Sequence, residues 1–310
     1  MSKVAPTSST AKVRQTGWPD IILLLLVVTG VVWIVLKVRV NLQYNWNWGI
    51  IPQYLLLRDP QSGALIPGLI IRGLLVTIRV SLWASVLALV IGTIMGLFRV
   101  STSRFRRFLG WAYVALIRNM PILVWVFIVY YFLSDQLFQL MDLEAQILQG
   151  TATTLATATL LFGAPEQLPS FLAGVVALAL YEGAYITEII RAGIQSVDKG
   201  QWEAAFSVGL SPFKRMRLVI MPQAIIRILP PLAGQFIATI KDSSIISIIS
   251  IQELTFQGME LMSAALITFE VWITVMLLYL VLCLACSLVV AGLEERLGRK
   301  FVKPSAAASV

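Results

Sequence analysis

Residues 73–98, GLLVTIRVSLWASVLALVIGTIMGLF, decide the fold. The run is apolar over a length that suits a helix crossing a bilayer, which takes ~20 residues. Arg99, Arg104, Arg106 and Arg107 follow it. Basic residues gather on the cytoplasmic side of membrane segments, so the end near Phe98 is expected to face the cytoplasm.

Working outward, six spans are readable: roughly Ile21–Leu36, Gly73–Phe98, Leu109–Leu133, Phe171–Ile190, a polar-bearing stretch near Ile228–Ile249, and Ile267–Leu293. The loops between them are too short to fold as separate soluble domains. Composition agrees, since 58% of residues are hydrophobic and 13% charged, which excludes an ordinary soluble globule. The fold class expected is all-α and integral to a membrane.

The net charge of +8 would point to nucleic acid in a soluble protein. Here the basic residues cluster between apolar runs, so topology explains them and no nucleic-acid partner is expected. There are no histidines, which excludes His-based metal sites and Ser-His-Asp chemistry. Cys283 and Cys286 lie inside the last apolar run and read as small packing residues. No metal site and no catalytic residue are expected.

Met1–Trp18 is polar, and Ile21–Leu36 lacks a small-residue cleavage pattern, so this run is a retained anchor. Loop Ser134–Ser170 carries Asp135, Asp142, Glu144 and Glu166 without Lys or Arg, and should face outward. Lys199, Lys214, Arg215 and Arg217 follow the fourth span. Arg296, Arg299, Lys300 and Lys303 mark the tail. Both place their segments inside, so both termini are expected in the cytoplasm. Lys37 and Arg39 fit this poorly and are outvoted. Asn41–Pro67 is an outer connection with interfacial aromatics, and Thr151–Phe162 an interfacial or packed outer helix. Gly92 and Gly96 form a small-xxx-small face for close helix packing.

Ionisable groups inside spans are costly unless paired or in a wet cavity. Arg118 and Asn119, followed by Pro121, interrupt the third span. Glu182 sits mid-way along the fourth, with Glu188 and Arg191 one turn apart near its inner end. Lys241, Asp242, Ser243 and Ser244 interrupt the fifth, and Glu270 opens the sixth. Two uses compete: pairs that lock the bundle, and a polar lining. Glu188–Arg191 reads as a helical ion pair, and Lys241–Asp242 as either. Gln235 and Thr239 share a helix face.

Residues 201–227, QWEAAFSVGLSPFKRMRLVIMPQAIIR, read as helix, break, helix on the cytoplasmic side. Gly209 allows a turn, and Ser211-Pro212 is a helix start. By propensity alone this is an amphipathic connector.

The same residues carry a resemblance. Glu203-Ala204-Ala205, three residues, Gly209, nine residues, Val219, one residue, Met221-Pro222 resembles the EAA motif of ABC-importer permeases, with Val and Met standing for isoleucine and leucine. Tyr181-Glu182-Gly183-Ala184-Tyr185, Glu188, Arg191, Leu229-Pro230-Pro231 and Lys241-Asp242-Ser243-Ser244 resemble the polar amino-acid permeases within that family. Arg118-Asn119-Met120-Pro121 resembles their R-G-T-P element, and a departure lies near Gly234, where asparagine is frequent. The resemblance covers about residues 68–296.

It implies a type I ABC importer permease fold with an added N-terminal helix. The implied division is a tail over 1–18, an anchor and outer connection over 19–67, a transmembrane domain over 68–296 with its coupling helix near 198–215, and a tail over 297–310. It implies ATPase coupling through Glu203, Ala204, Ala205, Gly209 and Pro222. A substrate path through Asn119, Glu182, Gln235 and Thr239 is expected, with Arg118, Glu188, Arg191, Lys241, Asp242, Ser243 and Ser244 as structural or gating residues. No G-x-x-x-x-G-K-[ST] loop is present, so ATP and magnesium are expected on separate ATPase subunits. A second permease subunit, identical or homologous, and an extracytoplasmic amino-acid-binding protein are the other partners, in a bacterial cell membrane. The alternatives are a permease for another small solute and an ion-coupled transporter using Glu182, Asp242 and Glu270.

Overall fold

In a computed structural model the chain is described over residues 18–41, 44–60, 63–133, 149 and 151–301. Most of the two predicted tails, and the acidic residues Asp135, Asp142 and Glu144, lie outside them. Two units divide at Trp46. The first is dominated by helix α1 (Trp18–Asn41), whose Leu23, Leu24, Leu25 and Leu26 are exposed. A helix without a polar face of its own suits lipid better than water.

The second unit opens with a helical turn, α2 (Ile51–Leu55), and an antiparallel pair, β1 (Leu56–Arg58) and β2 (Leu65–Pro67), with Leu57 opposite Ile66. Helix α3 (Leu69–Arg99) follows, then α4 (Arg104–Arg118), α5 (Ile122–Leu133), α6 (Ala152–Phe162) and α7 (Leu168–Gln195). Short helices α8 (Lys199–Ser207) and α9 (Pro212–Arg215) lead through one widened turn, Met216–Ile220, into α10 (Met221–Asp242). A 3-10 segment, Ser243–Ile249, precedes α11 (Leu254–Ala265) and α12 (Thr268–Phe301).

Among the described residues, four helical stretches are long and apolar enough to cross a membrane: Leu69–Arg99, Pro165–Gln195, Pro212–Ile249 and Thr268–Gly292. The third predicted span is not straight. It is the pair α4 and α5, bent by 108°. Pro121 has no N–H to continue the ladder. Asn119 closes α4 by donating from Nδ2 to the Ala115 carbonyl at 2.7 Å. Counted as one span, the pair makes a fifth.

Helices α3 and α7 run side by side in the same direction and form the centre of the unit. An added Cβ on Gly92 would meet Ile186 at 2.6 Å, and one on Gly96 would meet Ile190 at 2.8 Å. The small-xxx-small face is therefore packing, as its spacing suggests. Tyr113 on α4 donates to the Leu180 carbonyl at 2.6 Å, and Trp125 on α5 to that of Ala177 at 2.9 Å. Both limbs of the bent pair are thus pinned to α7. Helix α10 runs back along α7, with Ile228 filling the space beside Gly193.

Glu253 is fully buried and caps α11. It accepts from the Thr255 and Phe256 N–H groups at 2.9 and 2.8 Å, from Tyr279 at 2.7 Å and from Thr77 at 3.3 Å. Burial pushes its carboxyl above the usual carboxylate range, and those four hydrogen bonds oppose the rise.

Candidate functional site: a turn at one end and a cavity behind it

Helix α8 starts at Asp198, whose carboxylate accepts from Gly200 N–H at 2.7 Å. It ends in a paired backbone motif. Gly209 N–H donates to the Phe206 carbonyl at 2.9 Å, and Leu210 N–H to that of Ala205 at 3.3 Å. This is the Schellman arrangement, which needs a left-handed residue after the helix. Gly209 supplies it with φ of +75°. Ser211 caps α9 by accepting from Lys214 N–H at 3.4 Å, and Pro212 occupies the first turn. Helix, break, helix is therefore realised as the residue types dictate.

The alanines divide their labour. Ala205 is buried, while Glu203 and Ala204 are exposed. Pro222 lies in the first turn of α10 and is also exposed. Gln223 donates to Gln201 at 3.1 Å and ties the turn to α10. Around the turn, Phe206 (68% exposed), Val208 (73%) and Phe213 (70%) stand in the open. Sequence reasoning missed these three. Their signal was present, because apolar residues beside Gly209 have no place on the buried face that Ala205 marks.

Behind the turn lies a cavity of about 560 Å³ bordered by α4, α7 and α10. Arg118, Tyr185, Glu188, Arg191, Arg227 and Gln235 are on its wall. Arg118 stacks over the Tyr185 ring at 4.9 Å. Glu188 pairs with Arg191 at 2.7 Å, as its spacing predicts, and also with Arg99 on α3 at 3.2 Å. The second partner was not foreseen. Arg227 donates to the Ser196 carbonyl.

At the deep edge, Gln235 Nε2 donates to Glu182 Oε2. Glu182 is fully buried, and its other oxygen has no donor in reach. The Asp242 carboxyl faces it. Thus Glu182, Gln235 and Asp242 converge although they are far apart in sequence.

Other expected residues do not join them. Asn119 is spent on its own helix. Thr239 is buried, back-bonds to the Gln235 carbonyl at 3.0 Å, and borders a separate apolar cavity of about 360 Å³. Lys241 is exposed and forms no ion pair with Asp242 among the described residues. Ser243 donates to the Ile240 carbonyl at 2.8 Å, and the Ser244 carbonyl accepts from Ser247 at 2.8 Å, so both serve the 3-10 segment. Glu270 accepts from Asn47 N–H at 2.5 Å and anchors the connection before α2.

The family described as "Binding-protein-dependent transport system inner membrane component" matches residues 88–302. The chain belongs to this family. It is a transport subunit with several membrane-crossing helices. A similar chain is the probable glutamine ABC transporter permease protein GlnM of Bacillus subtilis (strain 168), 37% identical over 71% of this chain and 91% of that one. The L-cystine transport system permease protein TcyB of the same strain is 33% identical over 74% and 87%. A crystal structure of an amino acid ABC transporter with histidines is 33% identical, with a TM-score of 0.59 over 74% of this chain and 94% of that one. The methionine ABC transporter MetNI shares the fold alone, at 16% identity and a TM-score of 0.54. In this inner membrane component the match takes in the α8–α9 turn, the 560 Å³ cavity and the three helices that border it.

Proposed function

We propose that the chain carries polar amino acids across a bacterial membrane, driven by ATPase subunits that dock on the α8–α9 turn. The observation that carries this reading is the turn itself. Its exposed Phe206, Val208 and Phe213 surround a fixed Gly209 corner, with Arg215 over the Phe206 ring at 5.3 Å and the three side chains otherwise largely open among the described residues. Glu203 and Ala204 stand on the same short helix, with Pro222 where α10 begins. Exposed apolar clusters rimmed by polar residues mark protein contacts.

The clustered basic residues support a cytoplasmic position for the turn and both termini. ATP and magnesium belong to the docked subunits. A second permease chain completes the path, and a binding protein delivers substrate from outside. The printed names of the similar proteins, glutamine and cystine permeases, support an amino acid as cargo.

The cavity fits that cargo chemically. A carboxylate matches the planar guanidinium of Arg118. An ammonium matches the Glu182 and Asp242 carboxyls, with Gln235 between them and the cavity. Alternating access then follows from two states of the bundle, each favoured by different partners. The test is reconstitution with the cognate ATPase and binding protein. Uptake of at least one amino acid, with ATPase activity that rises with the loaded binding protein, is the expected result. Transport driven by an ion gradient without ATPase subunits would overturn it.

A further inference from the structure

At the opposite end of the bundle from the turn, a second cleft of about 380 Å³ lies between the starts of α3 and α7 and the turn before α11. Its wall includes Arg72, Arg79, Glu166, Ser170, Gln252 and Gln257. Arg79 stands out. It is ten residues into α3, about 15 Å along the helix from Leu69. It is half-buried, and among the described residues it has no ion-pair partner. A cation at that depth is costly unless a wet cleft or an anion offsets it.

Among the described residues no carboxylate lies within ion-pair distance of it. Glu166 borders the cleft, but no ion pair joins it to Arg72 or Arg79 among the described residues. Arg72 uses its Nε on the Pro67 carbonyl at 2.9 Å. Gln257 is 3% exposed, and its Oε1 has no hydrogen-bond partner among the described residues. An unsatisfied buried amide costs free energy until a ligand or water meets it. One end of the cleft thus lacks an anion, and another lacks a donor. A zwitterion supplies both, a carboxylate for Arg79 and an ammonium for Gln257 and Glu166. The cleft also abuts Ser250, where the polar 3-10 segment of the fifth span ends in a left-handed turn.

We infer that this cleft is a loading site, which takes the carboxylate of the amino acid between delivery at the outer face and entry into the central cavity. The inference rests on the amino-acid reading above and on the orientation given there.

The test uses the full complex in nanodiscs, with Cys283 and Cys286 replaced by serine and Gln252→Cys as a reporter. The reporter's rate is measured with a sulfonate-bearing methanethiosulfonate and with its ammonium counterpart. Arg79→Gln should slow the sulfonate reagent relative to the ammonium one by about ten-fold, the low end of electrostatic focusing in clefts. Arg79→Lys should retain the preference. L-Glutamine should protect the reporter in the Arg79 chain, and L-glutaminol, which lacks the carboxylate, should not.

Equal reagent ratios in both chains, or protection that survives Arg79→Gln, would overturn the site. So would a charge preference with no protection by any of the twenty amino acids, which would leave an electropositive cleft that loads nothing. Protection by the binding protein with no amino acid present would overturn the site and assign Arg79 to an acidic side chain of that partner instead. Uptake by the unmodified complex is measured in parallel. If that complex carries no amino acid, the amino-acid reading fails on its own evidence, whatever the reporter shows.

Discussion

Two sets of glycines do opposite work in this chain. On α3, Gly92 and Gly96 are glycine because space is short: Cβ atoms there would lie 2.6 and 2.8 Å from side chains of α7, and 2.9 and 3.2 Å from its backbone carbonyls. At the α8–α9 turn, Gly209 has nothing within 4 Å, yet its φ is +75°. The first pair serves contact between helices, and the second serves the course of the backbone. The lesson extends to their neighbours. Gly92 faces the buried side of α3, against Ile186 of α7, whereas beside Gly209 Phe206 and Val208 are 68% and 73% exposed, with Arg215 over the Phe206 ring. The seam is finished within one chain, and the turn is the surface on which docking of another is proposed.

The contrast can be broken at either side. Gly92→Leu should have the largest effect, because the bulk meets backbone as well as side chain. Overpacking costs about 1 to 3 kcal/mol where neighbours can yield, and here the α7 backbone cannot. The expected outcome is loss of monodisperse protein on size exclusion in detergent. Next comes Gly209→Val. A side chain in the left-handed region costs roughly 1–2 kcal/mol, which is absorbed by a local shift of the turn. Insertion and melting should stay near normal while uptake falls to background and ATP hydrolysis no longer responds to substrate. Glu203→Lys should do the same more weakly, since Glu203 is exposed and its proposed role lies in docking alone. Normal uptake in both would remove the turn from the coupling route.

Smaller effects sharpen the cavity side. Gln235→Leu deletes the donor to Glu182 and should alter substrate affinity and selectivity without touching subunit assembly. Unchanged transport kinetics would take Gln235 off the path. The smallest effect concerns Glu253, whose carboxyl burial raises. A group with a raised value stabilises the fold most when protonated, so that contribution fades as pH climbs through the raised value. Melting temperature should therefore drift downward as pH rises above the ordinary carboxylate range. Glu253→Gln should flatten the drift, and an equal slope in the variant would exclude Glu253 as its source.

Much of this was legible in the sequence, for identifiable reasons. Apolar length revealed five of the six expected spans, because a bilayer imposes length directly; the first contains only a shorter apolar stretch, Ile21–Ile34, among the described residues. Gly209 and Ser211-Pro212 revealed the turn, because caps and left-handed corners are local chemistry. Glu188–Arg191 was legible as one helical turn. What escaped was non-local. The two limbs of the 108° bend at Pro121 are held on α7 by Tyr113 and Trp125, each bonded to a carbonyl far away in sequence. The Arg99 contact to Glu188 joins separate helices, as does Gln235 to Glu182. Lys241 and Asp242 are chain neighbours on α10, but the former is exposed and the latter faces Glu182. Asn119 read as a path residue by its polarity, and its amide instead closes its own helix.

The central claim is that the turn is completed by a separate ATPase. A photo-crosslinking residue placed at Val208, in membranes holding the assembled complex, tests it most directly. The account predicts a covalent adduct with the ATPase subunit that Gly209→Val abolishes. Adducts confined to lipid or to the permease itself, in a complex that still transports, would contradict it.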